Sequence, residues 1–205
     1  MPVTGDVPFF AGEEDNPSFG YRSSFSHDSE KASPGYYQVR LDDYGIIAEM
    51  TATARVGFHR YTYPASDKSG ILIDLEHGIG DETTESEIRV IDPQTIVGMR
   101  RSSGFIRDHC YYFCARFSKP FEQIVSYQDN IMGDKQQLAG KITKLLLQFT
   151  TSDQEAINVK VGLSTASVEG AMNNLDTEVP GWDFNAVRRQ TEEQWNSYLK
   201  RIEIK

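Results

Sequence analysis

The sequence predicts a mainly β fold, an antiparallel β-sandwich followed by two C-terminal helices. Three observations carry this. About ten short runs alternate polar and apolar side chains, turn residues separate them at intervals of roughly 8 to 12 residues, and helical spacing begins only after Ser164. Helices that come so late cannot alternate with strands as βαβ units do, which excludes a parallel sheet.

Taken in order, residues 1–22 read as a loop or arm. Pro2, Gly5, Pro8, Gly12, Pro17 and Gly20 interrupt any regular element, although Val7–Ala11 has room for a short edge strand. The stretch Ser23–Pro64 organises the rest of the chain. Tyr37–Leu41 alternates apolar odd with polar even positions, Asp42-Asp43-Tyr44-Gly45 supplies a turn, Ile46–Thr53 and Val56–Tyr63 resume the alternation, and Pro64 ends it. Ile71–Leu75 is a nearly continuous apolar strand before an acidic, Gly-rich loop at Gly78–Ser86. Glu87–Ile91 and Thr95–Arg100 make a hairpin about Asp92-Pro93-Gln94. Cys110–Phe117 is the most aromatic strand and belongs near the centre. Phe121–Tyr127, Lys141–Thr150 and Asn158–Ser164 complete the strands, with Asp129–Gly140 as a long turn. A first helix over Ser167–Glu178 is capped by Ser164 or Ser167. After Pro180-Gly181, Asp183 caps a second helix whose Phe184, Val187, Trp195, Leu199 and Ile202 recur every third or fourth residue, with Tyr198 beside them. The expected organisation is a single domain over 1–205: an arm at 1–22, strands at 23–164 and helices at 165–205.

Composition bounds the function classes. A chain of 205 residues that is 39% hydrophobic can bury one sizeable core. A formal charge of −9 and a pI near 4.9 argue against nucleic acid or an anionic membrane surface as partner. No apolar run approaches the roughly 20 residues that cross a bilayer, and MPVTGDVPFF has neither the charged region nor the apolar core of a signal peptide. Cys110 and Cys114 share a strand face about 13 Å apart at ~3.3 Å per residue, too far for a mutual disulfide, and read as two small buried residues.

Candidate chemistry is sparse. His27 and Glu30 stand in an H-x-x-E spacing that puts both on one side of a helical turn, where they could share a metal or a proton. No further ligand completes a set nearby, so a polar loop before a strand is the competing reading. His59, His77 and His109 are isolated. The aromatic stripe of Tyr111, Phe113 and Phe117 can hold a sugar ring or simply pack a core. Glu49 and Asp74 are the other carboxylates of interest, and both fall on expected strands, where exposed pairing or loop contacts would occupy them.

A resemblance covers nearly the whole chain. Ser24-Phe25-Ser26-His27, Glu30, Ser33-Pro34-Gly35-Tyr36-Tyr37, Glu49-Met50-Thr51-Ala52-Thr53, Gly57-Phe58-His59-Arg60-Tyr61 and Ile73-Asp74-Leu75 look like the N-terminal domain of glycoside hydrolase family 92. So do Phe117-Ser118-Lys119-Pro120-Phe121, Val159–Ser164, Asn174-Leu175, Glu178, Asp183-Phe184 and Trp195-Asn196. The resemblance implies a galactose-mutarotase-like supersandwich followed by an (α/α)6 barrel, in calcium-dependent, inverting alpha-mannosidases that bind substrate in the crevice between the two. The barrel supplies the catalytic carboxylates and most calcium ligands. Family sandwiches open with segments resembling V-N-P-F-I-G-T, P-G-A followed by P-F-G, and G-F-S-H-T-H-L-S-G. None occurs here, so the sequence resembles the later part of that sandwich, ending just past the helix that leads into the barrel.

Inversion needs an acid and a base carboxyl roughly 6.5 to 9.5 Å apart across the sugar, and no such pair can be argued from this sequence. No catalytic residue, metal ligand or cofactor is therefore expected in this chain, calcium belonging by resemblance to the intact enzyme. The expected function is a non-catalytic scaffold portion of an alpha-mannosidase. His27 and Glu30 would lie near the substrate or the domain interface, and Trp195, Tyr198, Leu199 and Ile202 would face the catalytic domain. The alternatives are a stand-alone carbohydrate-binding module and an intact small glycosidase. The family is commonly exported. An exposed sheet edge or the apolar seam of the last helix would favour self-association.

Overall fold

The computed structural model describes residues 1–13 and 19–202. In chain order its strands are β1 (Pro2–Thr4), β2 (Lys31–Ser33), β3 (Tyr36–Leu41), β4 (Ile46–Ala52), β5 (Val56–Tyr63), β6 (Ser66–Asp74), β7 (Asp81–Asp92), β8 (Thr95–Gly104), β9 (His109–Phe117), β10 (Gln123–Gln128), β11 (Ile131–Gly133), β12 (Gln137–Gly140), β13 (Thr143–Thr151) and β14 (Glu155–Ser164). Helices α1 (Val168–Glu178) and α2 (Phe184–Leu199) come last. Pairing is antiparallel in two sheets, β1-β6-β13-β10-β11 and β12-β7-β8-β9-β14-β5-β4-β3-β2. The mainly β sandwich with two terminal helices is the architecture that the alternating runs predict.

Pleating sorts the side chains into layers. On β5, Tyr61 and Tyr63 enter the core between the sheets with Leu145, Leu147 and Phe149 of β13, while Val56 and Phe58 face the opposite way. That outer face is covered by Ala171, Leu175 and Phe184 of the helices. The larger sheet is thus buried on both faces at its middle, which is why Val56 to Tyr63 carries bulky residues at both parities. A third cluster joins Val3 and Tyr21 to Leu72 and Leu146 on the back of the smaller sheet.

The helices are fastened to the sheet as well as packed on it. Ser167 Oγ accepts from Gly170 N at 3.0 Å to cap α1, and Asp183 Oδ1 accepts from Ala186 N at 2.9 Å to cap α2. At Gly162 a Cβ would sit 2.3 Å from the Ala171 carbonyl oxygen, so only glycine lets α1 approach β14 this closely. Lys160 is fully buried beneath the connection between the helices. Its ammonium donates to the carbonyls of Val179 at 2.9 Å and Gly181 at 3.3 Å and lies 4.2 Å from the Trp182 ring centroid.

Several local expectations are corrected. The N-terminal strand is Pro2–Thr4, paired with Ser69–Ile71, whereas Val7, Phe9 and Ala11 pack sideways against the third cluster. β7 starts at Asp81, inside the stretch expected to be loop, because Thr83 and Ser86 are buried with their hydroxyls donating to Leu75 O at 2.7 Å and Gly140 O at 3.1 Å. The expected long turn at Asp129–Gly140 contains β11 and β12, and β6 begins at Ser66, earlier than expected. Glu49 is not an exposed pairing position, whereas Asp74 does make loop contacts, accepting from Glu76 N at 2.8 Å and His77 N at 3.1 Å. Glu49 is buried under α2, bound by Arg60 Nε at 2.6 Å and Tyr36 OH at 2.8 Å, and Asp74 meets Lys144 Nζ at 3.2 Å. Cys114 is buried and Cys110 half-buried, both as free thiols. The four outermost strands, β1, β11, β12 and β2, are only three or four residues long, so any open edge is brief. Of the expected N-terminal arm, residues 14–18 lie outside the described residues.

Candidate functional site

Ser26 caps a short 3-10 turn at His27–Ser29 by accepting from Asp28 N at 3.2 Å. This turn brings His27 Nδ1 within 2.5 Å of Glu30 Oε2, as the H-x-x-E spacing anticipates. Tyr37, one residue into β3, donates its hydroxyl to the other oxygen, Oε1, at 2.5 Å. The Tyr37 bond first, and the His27 bond after it, hold the Glu30 carboxyl below the usual carboxylate range, while the same bond pushes Tyr37 up to about 12. A general acid needs the opposite shift. With both oxygens engaged, Glu30 reads as a hydrogen-bonding anchor, and His27 stands almost wholly exposed beside the Phe25 ring.

Tyr37 also links this cluster to a groove. Tyr37, Met50 and His59 are directly opposed on β3, β4 and β5, so their side chains share one face. Together with Gly57 they line an open groove of about 530 Å³, whose remaining wall includes Thr191 and Trp195 of α2. Burial pushes His59 down to about 4, which keeps its imidazole neutral at pH 7, and Nδ1 lies 3.1 Å from the Tyr61 hydroxyl. Aromatic rings flanked by uncharged hydrogen-bonding groups are the means by which proteins hold sugar rings.

Trp195, Tyr198, Leu199 and Ile202 are all exposed, and Trp195 and Tyr198 rim a smaller hollow over Ala52–Ala54. Sequence reasoning assigned His27 and Glu30 to one role and Trp195 to another. The structure connects them through Tyr37 and the groove. It missed Tyr37 and His59 as site residues, although their inward parity with Val39 and Tyr61 was available in the alternation.

A second pocket, of about 520 Å³, opens at the same end of the sandwich between Phe10, Glu76, His77 and Lys144. Lys144 is buried and saturated, reaching Glu76 Oε2 at 2.6 Å, Phe9 O at 2.7 Å and Asp74. Burial raises Asp74, but bonds from Tyr21, the His77 amide and Lys144 outweigh it and keep the carboxyl ionised. Asp81 is likewise held by Arg100, at 2.6 Å, and Glu178 by Arg55, at 2.5 Å. The well-placed carboxylates are thus committed to cations or hydroxyls. Among the described residues no group of three His, Cys, Asp or Glu side chains gathers as a metal site. No helix among the described residues is long and apolar enough to cross a membrane.

The model of the Glycosyl hydrolase family 92 N-terminal domain matches residues 1–164, and that of the family 92 catalytic domain matches residues 170–205. The chain belongs to glycosyl hydrolase family 92. A solved family GH92 alpha-mannosidase of Bacteroides thetaiotaomicron is 35% identical, with a TM-score of 0.95 over 100% of this chain and 28% of its own. A solved GH92 family glycosyl hydrolase is 28% identical, with a TM-score of 0.82 over 89% of this chain and 26% of its own. A curated relative from Arthroderma benhamiae, described as an uncharacterized secreted glycosidase, is 28% identical over 87% of this chain and 26% of its own length. The chain therefore spans about a quarter of the length of these relatives. The boundary between the two family 92 matches falls between the end of β14 and the first turn of α1.

Proposed function

We propose that this chain is the non-catalytic scaffold portion of an exported alpha-mannosidase. In this reading the sandwich holds one wall of a mannoside site, and a family 92 catalytic domain supplies the acid, the base and the calcium ion of an inverting reaction. The single observation that carries it is the change from N-terminal to catalytic family match at the point where strands give way to helices packed on the sandwich. The likeness to an alpha-mannosidase over the whole chain supports the substrate class, and the secreted relative supports export. The commitment of the described carboxylates to Arg60, Lys144, Arg100 and Arg55 supports the non-catalytic role.

The exposed Trp195 ring and the half-buried Tyr37 ring of the groove favour a second reading, a carbohydrate-binding module that acts alone. Titration of the purified chain with an alpha-linked mannobiose, monitored by Trp195 fluorescence and amide chemical shifts, separates the two. The scaffold reading expects no saturable binding below about 10 mM, because half a site lacks most of its contacts. Saturable binding that Tyr37→Ala abolishes would establish the module instead.

A further inference from the structure

We infer that the loops Glu76–Gly80 and Phe105–Asp108 form a second docking foot for a family 92 catalytic domain, set apart from the α2 seam on the same end of the sandwich. This inference rests on the scaffold reading of the chain. Strand directions place both loops at the end where β4 finishes and β5 begins, since β7 and β9 start there and β8 stops there. α2 runs toward this end too, its Thr191 hydroxyl donating to Ala52 O at 3.0 Å.

Ile79 and Phe105 are 98% and 103% exposed, and Ile106 is exposed beside them. Large apolar side chains held fully in water on neighbouring loops are an unfavourable arrangement for a surface that stays bare. The loops are firmly based. Arg100 clamps the base of the first loop by binding both Asp81 oxygens, at 2.6 and 3.2 Å, and the Leu75 carbonyl at 2.9 Å. Arg101 holds Asp108 at 2.7 Å, and Ser102 holds His109 at 2.8 Å. The backbone of Gly104, which leads into the second loop, lies close against the first, since a Cβ there would lie 2.5 Å from the Gly80 carbonyl oxygen. A clamped polar base under apolar tips is a preorganised contact surface.

The occupant is set by what leaves the sandwich here. α2 carries the family 92 catalytic match, and the relatives are about four times as long as this chain. β8 and β5 are three strand steps apart in the larger sheet, roughly 14 Å at ~4.8 Å per step. One partner surface of ordinary interface size covers both the loops and the α2 seam.

The test is a hybrid enzyme in which residues 1–205 replace the aligned portion of the Bacteroides alpha-mannosidase, compared with the isolated chain. Amide exchange in residues 76–80 and 105–108 should slow at least tenfold in the hybrid. Ile79→Ser with Phe105→Ser should lower the hybrid's inactivation temperature by several degrees and leave the melting temperature of the isolated chain unchanged. Equal loop exchange in hybrid and isolated chain overturns the docking foot, as does an equal loss of melting temperature in both. A hybrid with protected loops that hydrolyses no mannoside overturns the proposed function and leaves the docking foot standing.

Discussion

Truncating Phe184 to alanine should free α2 from the sandwich without unfolding the sheets. α2 is sixteen residues long yet buries only Phe184 and Thr191 among its own side chains. Phe184 is 2% exposed, with the Phe58 ring at 5.3 Å and the Arg60 guanidinium carbon 4.4 Å from its centroid. Removing such a ring costs about 3–5 kcal/mol. The Asp183 cap, the Thr191 hydroxyl bond and the stacking of Arg188 on Tyr36 contribute about 1 kcal/mol each. Those holds are too few to keep the helix docked. At about 1.4 kcal/mol per tenfold, amide exchange across α2 should accelerate about 10²- to 4 × 10³-fold, while β13 and β14 keep their protection. Hydrogen exchange read by mass spectrometry resolves the two regions. Unchanged exchange in α2, or equal losses in α2 and the sheets, would refute a helix held chiefly through Phe184.

Three further outcomes are expected. Glu49→Gln should cost about 2 kcal/mol at pH 7, the scale of a hydrogen bond to a charged group, and should flatten the acid limb of a stability profile. Burial raises Glu49, but bonds from Arg60 and Tyr36 outweigh it and hold its folded value below the ordinary 4.5. Its contribution is therefore complete above about pH 5 and lost as the pH falls through the lower folded value; an unaltered acid limb in urea melts would contradict this. Gly162→Ala should push α1 off β14 and lower the thermal midpoint, because Ala171 O and the Leu175 Cβ crowd the new methyl at 2.3 and 2.9 Å; an unchanged midpoint would show that the helix can shift at little cost. The isolated chain should self-associate at crystallisation concentrations through the α2 seam rather than its brief edges, and Trp195→Ser with Tyr198→Ser should reverse this. Light scattering that shows a 23.2 kDa monomer at high concentration, with no dye binding, would contradict it.

The strands of the meander were legible, although the helices bury the second face of two of them. Tyr36–Leu41, Ile46–Ala52 and Val56–Tyr63 follow their alternation closely, and Ser167 and Asp183 cap the helices as their side chains suggest. The polar start of β7 was not, because Thr83 and Ser86 satisfy buried hydroxyls through bonds to Leu75 and Gly140 that no local pattern records. β1 escaped for a related reason, since its place is fixed by pairing with Ser69–Ile71, far along the chain. In the candidate site, His27 and Glu30 were found by spacing and do meet. The groove was not foreseen because Tyr37, His59 and Trp195 converge only when α2 folds back over the larger sheet.

The central claim is that this chain shapes a mannoside site without carrying its catalysis. Release of mannose from aryl alpha-mannosides and alpha-linked mannobiose by the purified chain, with calcium and with chelator, tests it most directly. The account predicts no release above the blank in either condition. Turnover that Glu30→Gln, or substitution of any other residue of this chain, removes would contradict it.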